Sequence, residues 1–127
     1  MYRSGYQGFG PMLTPAIKNL LIANGAIFIL MFLGPLGEFI YYSFVLVPNN
    51  VIFNFEIWRV VTYMFLHGGI FHIFFNMFVL WMFGSELERM WGTKEFYRFY
   101  FISGIIAGFV ILMANFGNNT QTLGASG

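Results

Sequence analysis

The chain has 127 residues, of which 58% are hydrophobic, 22% aromatic and only 9% charged, with a formal net charge of +1. A soluble domain carries about 25% charged residues, so this composition cannot cover a water-facing surface and the chain reads as a membrane protein. The small net charge offers no basic stripe for phosphates, which excludes nucleic acid. The absence of cysteine excludes disulfides, thiolate metal sites and a cysteine nucleophile.

Residues 1–18 mix Gly, Pro and Tyr with two cations, Arg3 and Lys18, and read as a short polar lead. Thr14-Pro15 predicts a helix start, with Thr14 as N-cap and Pro15 in the first helical position. The first apolar run extends from about Asn19 to Leu33 and stops at Gly34-Pro35. A helix from Pro15 to that point is roughly 28 Å long, enough to cross a bilayer. No small-residue cleavage site follows it, so it reads as a span and not as a signal peptide.

Residues 36–66 are rich in Phe, Tyr and Val but broken by Pro48-Asn49-Asn50 and marked by Glu38, Glu56 and Arg59. Their apolar pieces are too short to span, and the aromatic emphasis predicts a loop lying partly in the outer headgroup zone. Trp58-Arg59 there reads as an interfacial anchor with a snorkelling cation. The second span is predicted from about Ile70 to Ser85. The charged stretch Glu86-Leu87-Glu88-Arg89, with Gly92, Lys94 and Glu95, is placed at a headgroup surface. The third span runs from about Phe96 to Ala114 and holds Gly104-Ile-Ile-Ala-Gly108, a small-xxx-small spacing that admits a close neighbour. Arg and Lys are concentrated in the lead (Arg3, Lys18) and after the second span (Arg89, Lys94, Arg98), which puts the N-terminus in the cytoplasm and the first loop outside.

The stretch His67-Gly-Gly-Ile-Phe-His72-Ile-Phe-Phe-Asn76 stands out against this background. A helix starting near Ile70 places His72 and Asn76 on one face, on consecutive turns. Unpaired polar side chains are costly within a bilayer, so their presence in an apolar helix points to function. The bland alternative is that loop backbone or water satisfies them and they only lock helix to helix. The tail after Ala114 returns to the same side and ends in Gly124-Ala125-Ser126-Gly127.

Taken in order, Trp58-Arg59, His67, His72, Asn76, Glu88, Gly92 and Gly124-x-Ser126-Gly127 form a set that resembles the rhomboid family of intramembrane serine proteases. The resemblance covers most of the chain, from about residue 16 onward. It implies an all-α membrane protein, a polytopic helical bundle with an interfacial first loop and three transmembrane helices present of an expected six. Residues 1–50 would hold the cytoplasmic lead, the first span and the start of the outer loop. Residues 51–127 would be the N-terminal part of the protease domain. By that resemblance Ser126 is the nucleophile and Gly124 shapes its turn. His72 and Asn76 help form the oxyanion hole, Arg59 and His67 brace the first loop, and Glu88 and Gly92 form a structural tie below the second span. The implied partners are transmembrane protein substrates and the lipid bilayer, cleaved near the outer face of what is expected to be a bacterial plasma membrane. No cofactor or metal is implied, and two histidines with an Asn are a poor zinc ligand set.

A serine nucleophile needs a base, and the family draws its base from a histidine of the sixth span. This sequence stops one residue past Ser126, before the fourth span. The expectation is therefore that the 127-residue chain alone is inactive. Two competing readings are a non-catalytic relative that binds membrane clients and an unrelated polytopic transporter or channel subunit. The last would call for discontinuous helices at mid-bilayer or polar residues threading the third span, where the sequence offers only Ser103 within it and Asn115 at its end.

Overall fold

The computed structural model describes residues 13–115, and their regular structure is helical. α1 spans Pro15–Leu30, α2 Gly34–Phe44, α3 Pro48–Asn54 and α4 Arg59–Thr62, the last continuing into a 3₁₀ turn, Tyr63–Phe65. Two long helices follow, α5 (Ile70–Trp91) and α6 (Thr93–Ala114), each of 22 residues. At 1.5 Å per residue each is about 33 Å long, which matches the hydrocarbon core of a bilayer. Only 11% and 28% of their most apolar windows are buried within the chain. Helices at the core of a soluble protein would be mostly buried. These turn their Phe, Ile and Val outward, as lipid-facing spans do.

α1 is shorter than expected. Its helical bonding tightens after Leu30 into a 3₁₀-like turn, in which the Phe32 and Leu33 amides donate to Ile29 and Leu30. Gly34 follows with φ of +48°, in the left-handed region that favours glycine. The chain then doubles back into α2, and Gly37 approaches so closely that a Cβ there would lie 2.1 Å from the Met31 carbonyl oxygen.

The second span is longer than expected. α5 does not end at Ser85 but continues to Trp91, so Glu86, Glu88 and Arg89 lie on the helix. It passes through one wide π turn, Leu80–Gly84. A Cβ on Gly84 would come within 2.6 Å of Ile17, so the missing side chain is what lets α1 cross there. α6 begins directly after Gly92, whose φ of +92° makes the reversal, and runs antiparallel to α5. Its C-terminal end thus returns to the side of Ile70.

The first loop departs most from expectation. Its tip is apolar and exposed (Phe53, Phe55, Ile57), as suits an interfacial segment. Residues 59–66, however, plunge into the bundle. Tyr63 and Met64 are fully buried, and Tyr63 donates its hydroxyl to the Gly104 carbonyl at 2.8 Å. Gly104 is ten residues from the end of α6, so the loop reaches about 15 Å below it. The neighbour admitted by the Gly104/Gly108 spacing is this loop helix. A Cβ on Gly104 would overlap the Met64 side chain, and one on Gly108 would touch Val60 and Tyr63. One apolar core joins Ala16, Ile17 and Leu20 of α1 with Leu46, Val51, Val60, Tyr63 and Met64 of the loop and with Phe96, Tyr100 and Leu112 of α6.

Candidate functional site

Arg59 and Trp58 sit where the C-terminus of α2 leaves its last carbonyls without helical partners. The Arg59 guanidinium donates to the Tyr42 carbonyl at 2.7 Å, the Val45 carbonyl at 2.6 Å and the Glu56 carboxylate at 2.7 Å. The Trp58 indole donates to the Ser43 carbonyl and the Thr62 hydroxyl to the Phe44 carbonyl, both at 2.8 Å. Four consecutive carbonyls are thus capped by three side chains of one short segment, with a cation at the negative end of the helix dipole. Arg59 is buried, contrary to the snorkelling expectation, because the carbonyls it meets lie inside the fold. Trp58 remains half exposed at the interface.

Beyond α4 the chain turns inward to His67, which is 1% exposed. Its ring meets that of His72 edge to face, with centroids 5.0 Å apart. Neither His67 ring nitrogen makes a hydrogen bond of good geometry with a described residue. Burial, and then the neighbouring His72, hold its pKa down at about 4, with the Phe65 backbone opposing weakly. His67 is accordingly neutral at pH 7.

His72 and Asn76 stand on consecutive turns of α5, both half buried, and line one open groove of about 540 Å³ with Phe71, Phe75, Val79, Leu80 and Tyr100. The Asn76 amide donates one hydrogen to the His72 carbonyl at 2.8 Å, bonding back along its own helix. Its second amide hydrogen and carbonyl oxygen are left for the groove. The apolar walls keep the local dielectric low, so these few polar tips act strongly on anything placed between them.

At the other end of α5, Glu88 is 3% exposed, not at a headgroup surface as its charge suggested. Its carboxylate accepts from the Ala16 amide at 2.9 Å, the Ile17 amide at 3.3 Å and the Thr93 hydroxyl at 2.6 Å. Thr14 occupies the N-cap position of α1 as expected but makes no capping bond with its side chain. Pro15 has no amide hydrogen and Lys18 already donates to the Thr14 carbonyl. Glu88 therefore takes both remaining donors of the first turn and places a negative charge on the positive end of α1. Glu86 pairs with Arg89 one turn along and is only partly exposed. Thr93 and Tyr100 were not singled out by their sequence setting. Thr93 could have been noticed as a hydroxyl beside Gly92, whereas nothing distinguishes Tyr100 from the other aromatics around it. Ser126 and Gly124 lie outside the described residues.

The rhomboid domain model matches residues 54–127. The chain belongs to the rhomboid family. Among its rhomboid relatives, "RHOMBOID-like protein 6, mitochondrial" of Arabidopsis thaliana is 38% identical over 96 residues, covering 76% of this chain and 31% of that protein. "Rhomboid protease GlpG" of Yersinia pestis is 30% identical over 121 residues, covering 88% of this chain and 43% of that protein. "Rhomboid-like protease 3" of Toxoplasma gondii is 38% identical over 60 residues, covering 47% and 23% respectively. The chain thus spans less than half the length of these relatives.

Proposed function

We propose that this rhomboid chain carries the nucleophile and oxyanion-hole half of an intramembrane serine endopeptidase. Ser126 is the nucleophile, and His72 and Asn76 donate to the oxygen that becomes negative when the peptide carbonyl is attacked. The observation that carries the proposal is the shared groove: two polar side chains on one rigid helix, walled by Phe, Val and Leu. The C-terminal end of α6 also lies on the side of Ile70, and Gly124-Ala125-Ser126-Gly127 follow it in the sequence. Neutral donors held in a water-poor site need little reorganisation as charge develops, which is the strongest single contribution to acyl-transfer catalysis. The second Asn76 amide hydrogen suits this role.

On this reading neither histidine of the sequence is assigned as the base. His67 is buried in the loop, held neutral and low in basicity. His72 is assigned to the oxyanion. We therefore predict that the 127-residue chain alone does not hydrolyse peptides. Transmembrane proteins are the proposed substrates, cut near the outer face. That orientation follows from Arg and Lys placement, with Lys18, Arg89, Lys94 and Arg98 near the cytoplasmic side. In the complete gene product, Ser126→Ala abolishes cleavage of a transmembrane reporter, and Asn76→Ala lowers its rate by about 10²–10³-fold. A folded Ser126→Ala enzyme that still cleaves would overturn the assignment.

A further inference from the structure

At the Gly92 end of the two long helices, an open pocket of about 470 Å³ lies against one exposed face of α6, apart from the groove at Asn76. Glu95, Arg98, Phe99, Ile102 and Ser103 recur at helical spacing on that face, and Trp91 at the end of α5 forms the facing wall. The Trp91 and Phe99 rings meet edge to face with centroids 5.2 Å apart. None of these six side chains belongs to the proposed machinery. Arg98 and Glu95 form a loose ion pair at 3.4 Å with more than half of each side chain exposed, so the pair does little for the fold. Arg59 and Glu88, by contrast, are buried and spent on helix ends. The Ser103 hydroxyl is exposed on the span and makes no hydrogen bond with a described residue. An unpaired hydroxyl is costly where only hydrocarbon surrounds it.

We propose that this pocket holds one phospholipid of the adjoining leaflet, and that the lipid is phosphatidylethanolamine. The wall follows the order of the parts of such a lipid. Glu95 and Arg98 lie nearest the start of α6, at headgroup depth, and present opposite charges side by side. The lipid phosphate meets the Arg98 guanidinium, and the primary ammonium meets the Glu95 carboxylate. The Trp91 indole N–H stands at the interface, where it donates to a phosphate or ester oxygen. Ser103 lies five residues beyond Arg98, about 7.5 Å deeper along the helix. The headgroup zone of one leaflet is about 5–7 Å thick, so the Ser103 hydroxyl comes level with the glycerol esters, whose carbonyls accept from it. Phe99 and Ile102 give the acyl chain an apolar wall. An anionic headgroup with no ammonium leaves Glu95 facing like charge, and a choline headgroup has no N–H to give it. The placement of Lys and Arg makes this the cytoplasmic leaflet. The site rests neither on that orientation nor on the hydrolytic reading.

The test is a lipid competition on the complete gene product, freed of lipid in detergent. Equimolar phosphatidylethanolamine, phosphatidylcholine and phosphatidylglycerol with identical chains are offered, and retained lipid is counted by native mass spectrometry. The expected result is one phosphatidylethanolamine per chain, held about tenfold over the others, as one charge-assisted hydrogen bond gives at an exposed interface. Glu95→Gln should remove the preference over phosphatidylcholine while leaving phosphatidylcholine retention unchanged. Arg98→Gln should weaken retention of all three about tenfold. Lys94→Gln, which removes the same charge one turn away and outside the pocket, should leave it unchanged. Equal retention of phosphatidylethanolamine and phosphatidylcholine by the unaltered protein overturns the proposal, marks ordinary annular lipid and needs no variant to fold. An equal loss in the Lys94 and Arg98 variants overturns it as general surface charge. Retention of no lipid overturns it too, as the sign of another segment or a second copy covering this face.

Discussion

Glu88 gives the sharpest test of how α1 is held to the rest of the bundle. Glu88→Ala removes the acceptor for the Ala16 and Ile17 amides and the Thr93 hydroxyl, in a place that water does not reach. A buried donor left unsatisfied costs about 1–3 kcal/mol. Two stranded amides and the lost charge–dipole attraction together give about 3–5 kcal/mol. Glu88→Gln differs in an instructive way. The amide oxygen can replace Oε1 against Ala16 and Ile17 while the amide nitrogen, in the place of Oε2, donates to Thr93 but gives up the shorter Ala16 bond, so the charge assistance and one of the two Ala16 contacts are lost. That is about 1–2 kcal/mol. Thr93→Val removes a single donor and should cost about 1 kcal/mol. Equilibrium unfolding of the three variants in detergent micelles, read by tryptophan fluorescence, measures the series. The order expected is Ala, then Gln, then Val from most to least destabilised. An alanine variant no less stable than the glutamine variant would refute the capping argument, because it would mean the stranded amides find other partners.

Further outcomes follow from other parts of the fold. Arg59→Met should destabilise by about 3–5 kcal/mol in the same unfolding assay, since it strands the Tyr42 and Val45 carbonyls and leaves Glu56 unpaired in a partly buried setting. Arg59→Lys should fall between it and the parent, because one ammonium cannot reproduce the guanidinium fork. Gly37→Ala should cost about 1–3 kcal/mol, because its Cβ meets the Met31 backbone, which cannot swing aside. Gly25→Ala, inside α1 with nothing within 4 Å of the new methyl, should instead gain about 0.5–1 kcal/mol. His67 makes stability fall with acid. Its folded-state pKa of about 4 lies below the ordinary 6.5. The unfolded chain therefore binds a proton first, and stability is full above pH 6.5 and declines as the pH drops from there toward 4. The decline attributable to this residue is about 1–3 kcal/mol, a range that allows for solvent screening. His67→Phe should flatten the unfolding midpoint over that interval, and an unchanged slope would show that another group titrates.

The membrane character, the helical class and the pairing of His72 with Asn76 were legible in the sequence because they depend on composition and on a period of 3.6 residues. Both are local properties, and both survive any arrangement of the helices. The start of α1 at Pro15 was legible for the same reason, since proline fits the first turn of a helix whatever surrounds it. The fate of the charges was not legible from residue type or pattern, and only the family resemblance gave Arg59 and Glu88 structural roles. Glu88 and Arg59 look like solvated or snorkelling groups when judged by side-chain type alone. Their burial is decided by the ends of α1 and α2, which lie far away in sequence and present unpaired amides and carbonyls that only a charged side chain could satisfy so fully. The depth of the first loop was hidden in the same way. It depends on the space left at Gly104 and Gly108 being filled by Tyr63 and Met64, a fit between two segments some forty residues apart. Sequence patterns thus set which residues prefer a helix and which face is apolar. Which polar group meets which unsatisfied partner is a matter of distance in three dimensions, and only the tertiary structure decides it.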